Sequence, residues 1–218
     1  MTIGNERIER RLIKGREAII NALETPDILR VLTGYSYGET RLNVGLGLYK
    51  DAYRFYGEQQ RRYGEQYRAS EILTGILEEA RERYNEFRRL SRVALRKSKP
   101  LMVILGVEER SKRTLGGWME EARQFYTNAP ANPRIMEKLS NVGITAEDLE
   151  AGKRMVDRVE KAAADHEMKK GKARQATKQR NIAYKMFMEW MKDFRQVCRV
   201  AFARTPQKLE KLGMKAKS

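Results

Sequence analysis

The sequence predicts an all-α protein made by tandem duplication of a helical unit of about 107 residues. Three observations predict it. The stretch Tyr84-Asn-Glu-Phe-Arg-Arg-Leu-Ser-Arg-Val-Ala-Leu95 returns as Met191-Lys-Asp-Phe-Arg-Gln-Val-Cys-Arg-Val-Ala-Phe202, keeping Phe87, Arg88, Arg92, Val93 and Ala94 as Phe194, Arg195, Arg199, Val200 and Ala201. Apolar residues recur at helical or heptad spacing rather than in alternation. The chain has only five prolines and long runs of Leu, Ala, Glu, Arg and Lys, which favour helix over strand.

The same register, residue i against residue i+107, needs no gap along the chain. Pro26 meets Pro133, Leu32 meets Leu139, Gly45 meets Gly152, Gly64 meets Gly171 and Leu105-Gly106 meets Leu212-Gly213. The expected division is therefore residues 1–107, residues 108–214 and a short basic tail, 215–218.

In the first unit, Ile8, Leu12, Gly15, Ile19 and Ala22 share one face of a helix from about Glu6 to Leu23. Leu115, Met119, Ala122, Tyr126 and Ala129 do the same in the second. Thr25-Pro26 and Asn132-Pro133 each read as an N-cap followed by proline at the first helical position, opening a short helix. Thr145 with Asp148 three residues later resembles a capping box and starts the next element; Gly38 takes the capping place in the first unit.

About sixty residues without proline follow in each unit. Tyr49, Tyr56, Tyr63, Ser70, Leu77, Tyr84 and Ser91 lie seven apart, as do Val156, Ala163, Lys170, Thr177, Tyr184, Met191 and Cys198. Heptad spacing describes a narrow packing seam. It fades around 57–69 and 164–181, where polar residues and glycines gather. That middle is expected to be a turn, giving a long antiparallel helical hairpin in each unit and a helical bundle overall; the unbroken seven-residue phase through it leaves one continuous long helix as the alternative. A short segment, Pro100 to Gly106 or Pro206 to Gly213, closes each unit, and the second, Gln-Lys-Leu-Glu-Lys-Leu, suits an exposed end.

Charge bears on partners. The formal net charge is +16 with 34% charged residues, a surface that attracts anions. The basic stretch Met168 to Arg180 carries Lys169, Lys170, Lys172, Arg174, Lys178 and Arg180, and no acid occurs before Glu189. Its counterpart carries Arg61, Arg62 and Arg68, with Tyr63 and Tyr67 between them. These nine cations are the candidate contact surface, placed at the hairpin ends. Nucleic acid, an acidic protein and an anionic membrane surface all fit as partners by electrostatics.

Little in the sequence points to catalysis. His166 is the single histidine, and no Glu-x-x-His pair exists. Glu82 with Glu86, and Glu189 with Asp193, share helix faces, but helical angles set the first pair off the apolar seam and suggest ion pairs with a neighbouring helix rather than metal ligation. Cys198 is the only cysteine and falls on the inward stripe, as a structural thiol does. There is no phosphate-binding loop, dinucleotide fingerprint or nucleophile elbow. No cofactor or metal is expected, no apolar run is long enough to span a membrane, and the chain reads as cytoplasmic. The expected function is a non-enzymatic helical scaffold or interaction module meeting an anionic partner. The alternative is a bundle that binds an apolar small molecule in a cavity between the repeats, lined by Tyr, Met and Trp190.

Overall fold

The computed structural model describes residues 5–214, and among these it has eight α-helices and no strand. They are α1 (Asn5–Glu24), α2 (Pro26–Gly34), α3 (Glu39–Leu95), α4 (Lys99–Leu105), α5 (Leu115–Ala131), α6 (Pro133–Ser140), α7 (Ala146–Ala201) and α8 (Pro206–Lys211). The tail 215–218 lies outside the described residues.

Local chemistry fixes the short helices. The Asn132 side-chain oxygen accepts from the backbone N–H of Arg134 and Ile135 at 3.1 and 3.3 Å, while Thr25 makes no such bond. Thr145 and Asp148 form the reciprocal capping box: the Thr145 hydroxyl accepts from the Asp148 N–H, and the Asp148 carboxylate accepts from the Thr145 N–H, both at 3.1 Å. Helices α4, α6 and α8 are each closed past their ends by a glycine with positive φ, namely Gly106, Gly143 and Gly213. The next N–H then reaches back five residues, from Val107 to Met102, Ile144 to Leu139 and Met214 to Leu209. Ser36, at φ 62, does the same job after α2.

The long segments depart from expectation. Helices α3 and α7 run without interruption for 57 and 56 residues, so neither forms a hairpin. Gly57, Gly64 and Gly171, read from the sequence as part of a turn, sit in regular helix with negative φ and open space around each α-carbon. A mid-helix glycine costs about 1 kcal/mol relative to alanine, too little to break a helix that packs along one side.

Continuity of α3 and α7 determines how the chain divides. One compact unit takes the residues up to Gly64 together with those from Gly171; the other is Glu65–Lys170. Neither coincides with residues 1–107 or 108–214. Because the long helices do not turn back, the second half of α7 packs with the N-terminal helices, while the second half of α3 packs with the helices that follow it.

The first unit buries Ile8, Leu12, Ile19, Ala22, Ile28, Leu32 and Leu42 against Phe187, Met191, Phe194, Cys198 and Phe202. The backbone approaches closely at two points. A Cβ on Gly15 would stand 2.6 Å from the Phe187 ring, and one on Gly45 would stand 2.4 Å from the Trp190 indole. Helix α8 is not an exposed end: Leu209 and Leu212 are buried, and Lys208 pairs with Asp27 at 2.7 Å. The second unit has its own core of Tyr84, Phe87, Leu105, Trp118, Phe125, Tyr126, Leu139 and Leu149. Tyr84, Phe125 and Tyr126 meet edge to face, with centroids 5.2–6.2 Å apart.

Candidate anion-binding surface

The positive charge is unevenly shared. By sequence, residues 1–64 with 171–218 carry 24 lysines and arginines against 11 acids, or +13, while residues 65–170 carry 21 against 18, or +3. The first unit therefore holds most of the excess.

The nine cations singled out from the sequence do not gather at a tip, because the helices that carry them have no turn there. Lys169, Lys170 and Arg68 belong to the second unit; Lys172, Arg174, Lys178, Arg180, Arg61 and Arg62 belong to the first. Several are engaged. Arg61 and Arg62 both bind the Glu58 carboxylate at 2.8 Å, and Lys170 pairs with Glu167 at 2.8 Å. Arg180 is buried, with its guanidinium 2.8 Å from the Asn181 side-chain oxygen. Lys172, Arg174 and Lys178 stay exposed. Of the interleaved rings, Tyr67 is exposed rather than in the seam.

The structure brings forward cations that the sequence reading had passed over. On α7, Lys178, Lys185, Lys192 and Arg199 follow at intervals of seven and are all exposed. At 3.6 residues per turn they drift only slightly around the helix, forming a file about 31 Å long with a step of about 10 Å. Among the described residues, only Lys185 of the four has a carboxylate within reach, Glu189 at 3.8 Å. Two of these lysines also line a groove of about 610 Å³ between α1 and α7, with Ile8, Arg11, Tyr184, Met188 and Glu189 among its other lining residues. Arg11 donates to the Tyr184 hydroxyl at 3.3 Å.

Arg195 lies one turn before Arg199 on the same helix. It is partly buried, and burial, followed by the nearby positive charges of Arg11 and Arg199, pulls its guanidinium below the ordinary arginine range. Arginine is the best cation for holding a planar or tetrahedral oxyanion through paired N–H groups.

In the second unit, Arg88 and Arg92 meet oxygens within the protein, although the buried Arg88 Nε makes no hydrogen bond. Arg88 Nε lies 3.2 Å from the buried Glu121 carboxylate, and its terminal nitrogen donates to the Glu109 carbonyl. Arg92 donates to the carbonyls of Val107, Glu108 and Glu109 at 2.5–2.7 Å. Glu121 also accepts from the Tyr84 hydroxyl, the Ser111 hydroxyl and the Lys112 N–H, so this carboxylate is fully engaged in holding the segment before α5. Burial raises the Tyr84 phenol well above its usual value, with Glu121 adding to the rise.

The remaining chemical candidates have structural surroundings. Glu86 pairs with Arg83 at 3.1 Å, and no group of three or more His, Cys, Asp or Glu suited to a metal ion occurs among the described residues. Cys198 is fully buried, and burial pushes its thiol up to about 12. His166 lies 3.7 Å from Glu167. A smaller apolar groove of about 180 Å³ lies between Leu48 and Phe55 of α3 and Ile182, Ala183 and Met186 of α7. Among the described residues, no helix is long and apolar enough to cross a membrane.

No known family model, curated protein or solved structure matches this chain.

Proposed function

We propose that this protein is a non-enzymatic helical scaffold, built from a duplicated sequence, that holds the phosphate backbone of a nucleic acid along the exposed face of α7 in its first unit. The single observation that carries the reading is the file Lys178, Lys185, Lys192 and Arg199, set in a unit of net charge +13. Evenly spaced cations, of which only Lys185 has a carboxylate within reach among the described residues, suit a partner whose negative charge also repeats. An acidic protein is recognised through fewer, more irregular pairs. Phosphate contacts of this kind give affinity without reading sequence.

The duplication is supported by the order of elements. Each half of the chain runs through a helix, a short helix opened by proline, a helix of 56 or 57 residues and another short helix opened by proline.

The test is fluorescence anisotropy of labelled oligonucleotides of unrelated sequence, with vesicles of anionic lipid and a poly-glutamate peptide as competing partners. The expected result is oligonucleotide binding that is indifferent to sequence and is lost on replacing the four file residues with glutamine. Tighter binding to the vesicles or the peptide, or full oligonucleotide affinity in the glutamine variant, would overturn the reading.

A further inference from the structure

The groove of about 610 Å³ between α1 and α7 lies wholly within the first unit and joins apolar surface to an excess of positive charge. Ile8, Met188 and the Tyr184 ring supply apolar lining, while Arg11, Arg180, Lys185 and Lys192 are set against one acid among the lining residues, Glu189. That acid lies 3.8 Å from Lys185. Among the described residues Arg11 pairs with no carboxylate, although it is only partly exposed. Its guanidinium donates to a neutral oxygen, the Tyr184 hydroxyl, at 3.3 Å. The hydroxyl accepts from Arg11 and keeps its own O–H to donate. A guanidinium and a phenolic O–H side by side match the two oxygens of a carboxylate. The lining runs from Thr177 to Lys192, about 22 Å along α7, so there is room beside the donors for an extended chain.

The second unit shows that the fold does not demand this lining. The position 107 residues away is Trp118 for Arg11, Leu77 for Tyr184, Arg81 for Met188 and Glu78 for Lys185. There the Trp118 indole is buried, with the Arg81 guanidinium 5.6 Å from its ring centroid, and Glu78 and Glu82 line a groove together with Arg81, Arg88 and Arg89. The donor pair is missing and carboxylates stand among the cations. The Arg11–Tyr184 pair and the cation excess are features of the first unit.

We infer that the groove between α1 and α7 binds a free amphipathic carboxylate, a hydrocarbon chain ending in a carboxyl group. The head accepts hydrogen bonds from Arg11 and Tyr184, with Lys185 and Lys192 adding favourable charge, and the chain lies against Ile8 and Met188. Pockets that combine an apolar wall with a few convergent polar groups take ligands of this kind. The inference stands apart from the nucleic-acid reading, although Lys185 and Lys192 belong to both the groove and the file.

Isothermal titration of the full chain with octanoate tests it, with octanol, octylammonium and acetate as comparison ligands and vesicles of anionic lipid as the membrane form. Octanoate is expected to bind about tenfold tighter than octanol, the gain of a charge-assisted hydrogen bond, and octylammonium and acetate more weakly still. In Arg11→Met, which keeps an apolar stem and removes the charge, octanoate falls to the level of octanol and octanol is unchanged. Tyr184→Phe keeps the ring and weakens octanoate several-fold, again without affecting octanol. Met188→Ser weakens both ligands, and Arg30→Gln, at an exposed position on α2, weakens neither.

Unchanged octanol binding also shows that a variant is folded; if Arg11→Met loses octanol as well, the milder Tyr184→Phe decides. Octylammonium binding as tightly as octanoate, or octanoate affinity unchanged in the folded donor variants, overturns the inference. So does a failure to bind octanoate, whether or not the protein binds the anionic vesicles.

Discussion

Replacing Gly64 and Gly171 with alanine tests the continuity of the two long helices. Both glycines lie inside regular helix, neither has a positive φ, and a Cβ built on either meets nothing within 4 Å. Alanine then brings its helix propensity with no steric cost, about 0.8–1.0 kcal/mol for each site. The double variant gains about 2 kcal/mol if the sites act independently. With a urea dependence of about 2–3 kcal/mol per molar for a chain of this size, the unfolding midpoint rises by about 0.5–1 M. Urea titration followed by circular dichroism at 222 nm measures the shift. A turn at these positions, with glycine in the left-handed region, predicts the opposite sign, because alanine there is destabilising. A lower midpoint in both single variants would refute the continuous helices.

Three further outcomes follow from the packing and the titrating groups. Gly45→Ala places a methyl 2.4 Å from the Trp190 indole, and Gly152→Ala places one 2.2 Å from the Tyr126 ring. Overpacking of about 1–3 kcal/mol outweighs the propensity gain, so both variants unfold at lower urea, while Gly47→Ala, with open space, unfolds at higher urea. The Asp148 carboxyl is held below the usual carboxylate range, chiefly by the Thr145 N–H and then by the Thr145 hydroxyl, with Arg83 adding to the effect. A depressed folded value means stability present above the unfolded pKa and lost as pH falls through the folded one. The stability gap between the protein and Asp148→Asn should therefore be full near neutrality and shrink as pH falls below the ordinary aspartate value of 3.8. Buried Cys198, with its thiol pushed up to about 12, should react with a thiol reagent at neutral pH only at the rate of unfolding; rapid labelling of the folded protein would contradict its burial.

Much of the helical architecture was legible in the sequence, because capping and helical periodicity are local signals. Asn132-Pro133, the Thr145–Asp148 box and the inward faces of α1 and α5 appear where residue type demands them. The middle of α3 and α7 was misread because weak apolar spacing and glycine resemble a turn. There the buried positions are small or polar, such as Ala69, Ala173, Ala176 and Gln59, so the inward face carries little hydrophobic signal. The absence of proline and the unbroken heptad phase were the better guides.

Only part of the candidate surface could be seen in advance. Net charge and the acid-free run were visible, but concentration of charge in one unit depends on which halves of the long helices pack together. Lys185, Lys192 and Arg199 could have been found by extending the seven-residue interval from Lys178. Arg195 could not. Its sequence counterpart Arg88 meets Glu121, whereas Arg195 is partly buried, and that burial, with the charges of Arg11 and Arg199, lowers its guanidinium below the ordinary arginine range.

The salt dependence of oligonucleotide binding is the most direct measurement of the proposed function. Each phosphate contact contributes about 0.9 to the slope of log K against log salt on duplex DNA. Replacing Lys178, Lys185, Lys192 and Arg199 with glutamine should therefore reduce the magnitude of that slope by about 3–4. An unchanged slope in this variant, or no binding by the unaltered protein at low salt, would contradict a phosphate-backbone track on α7.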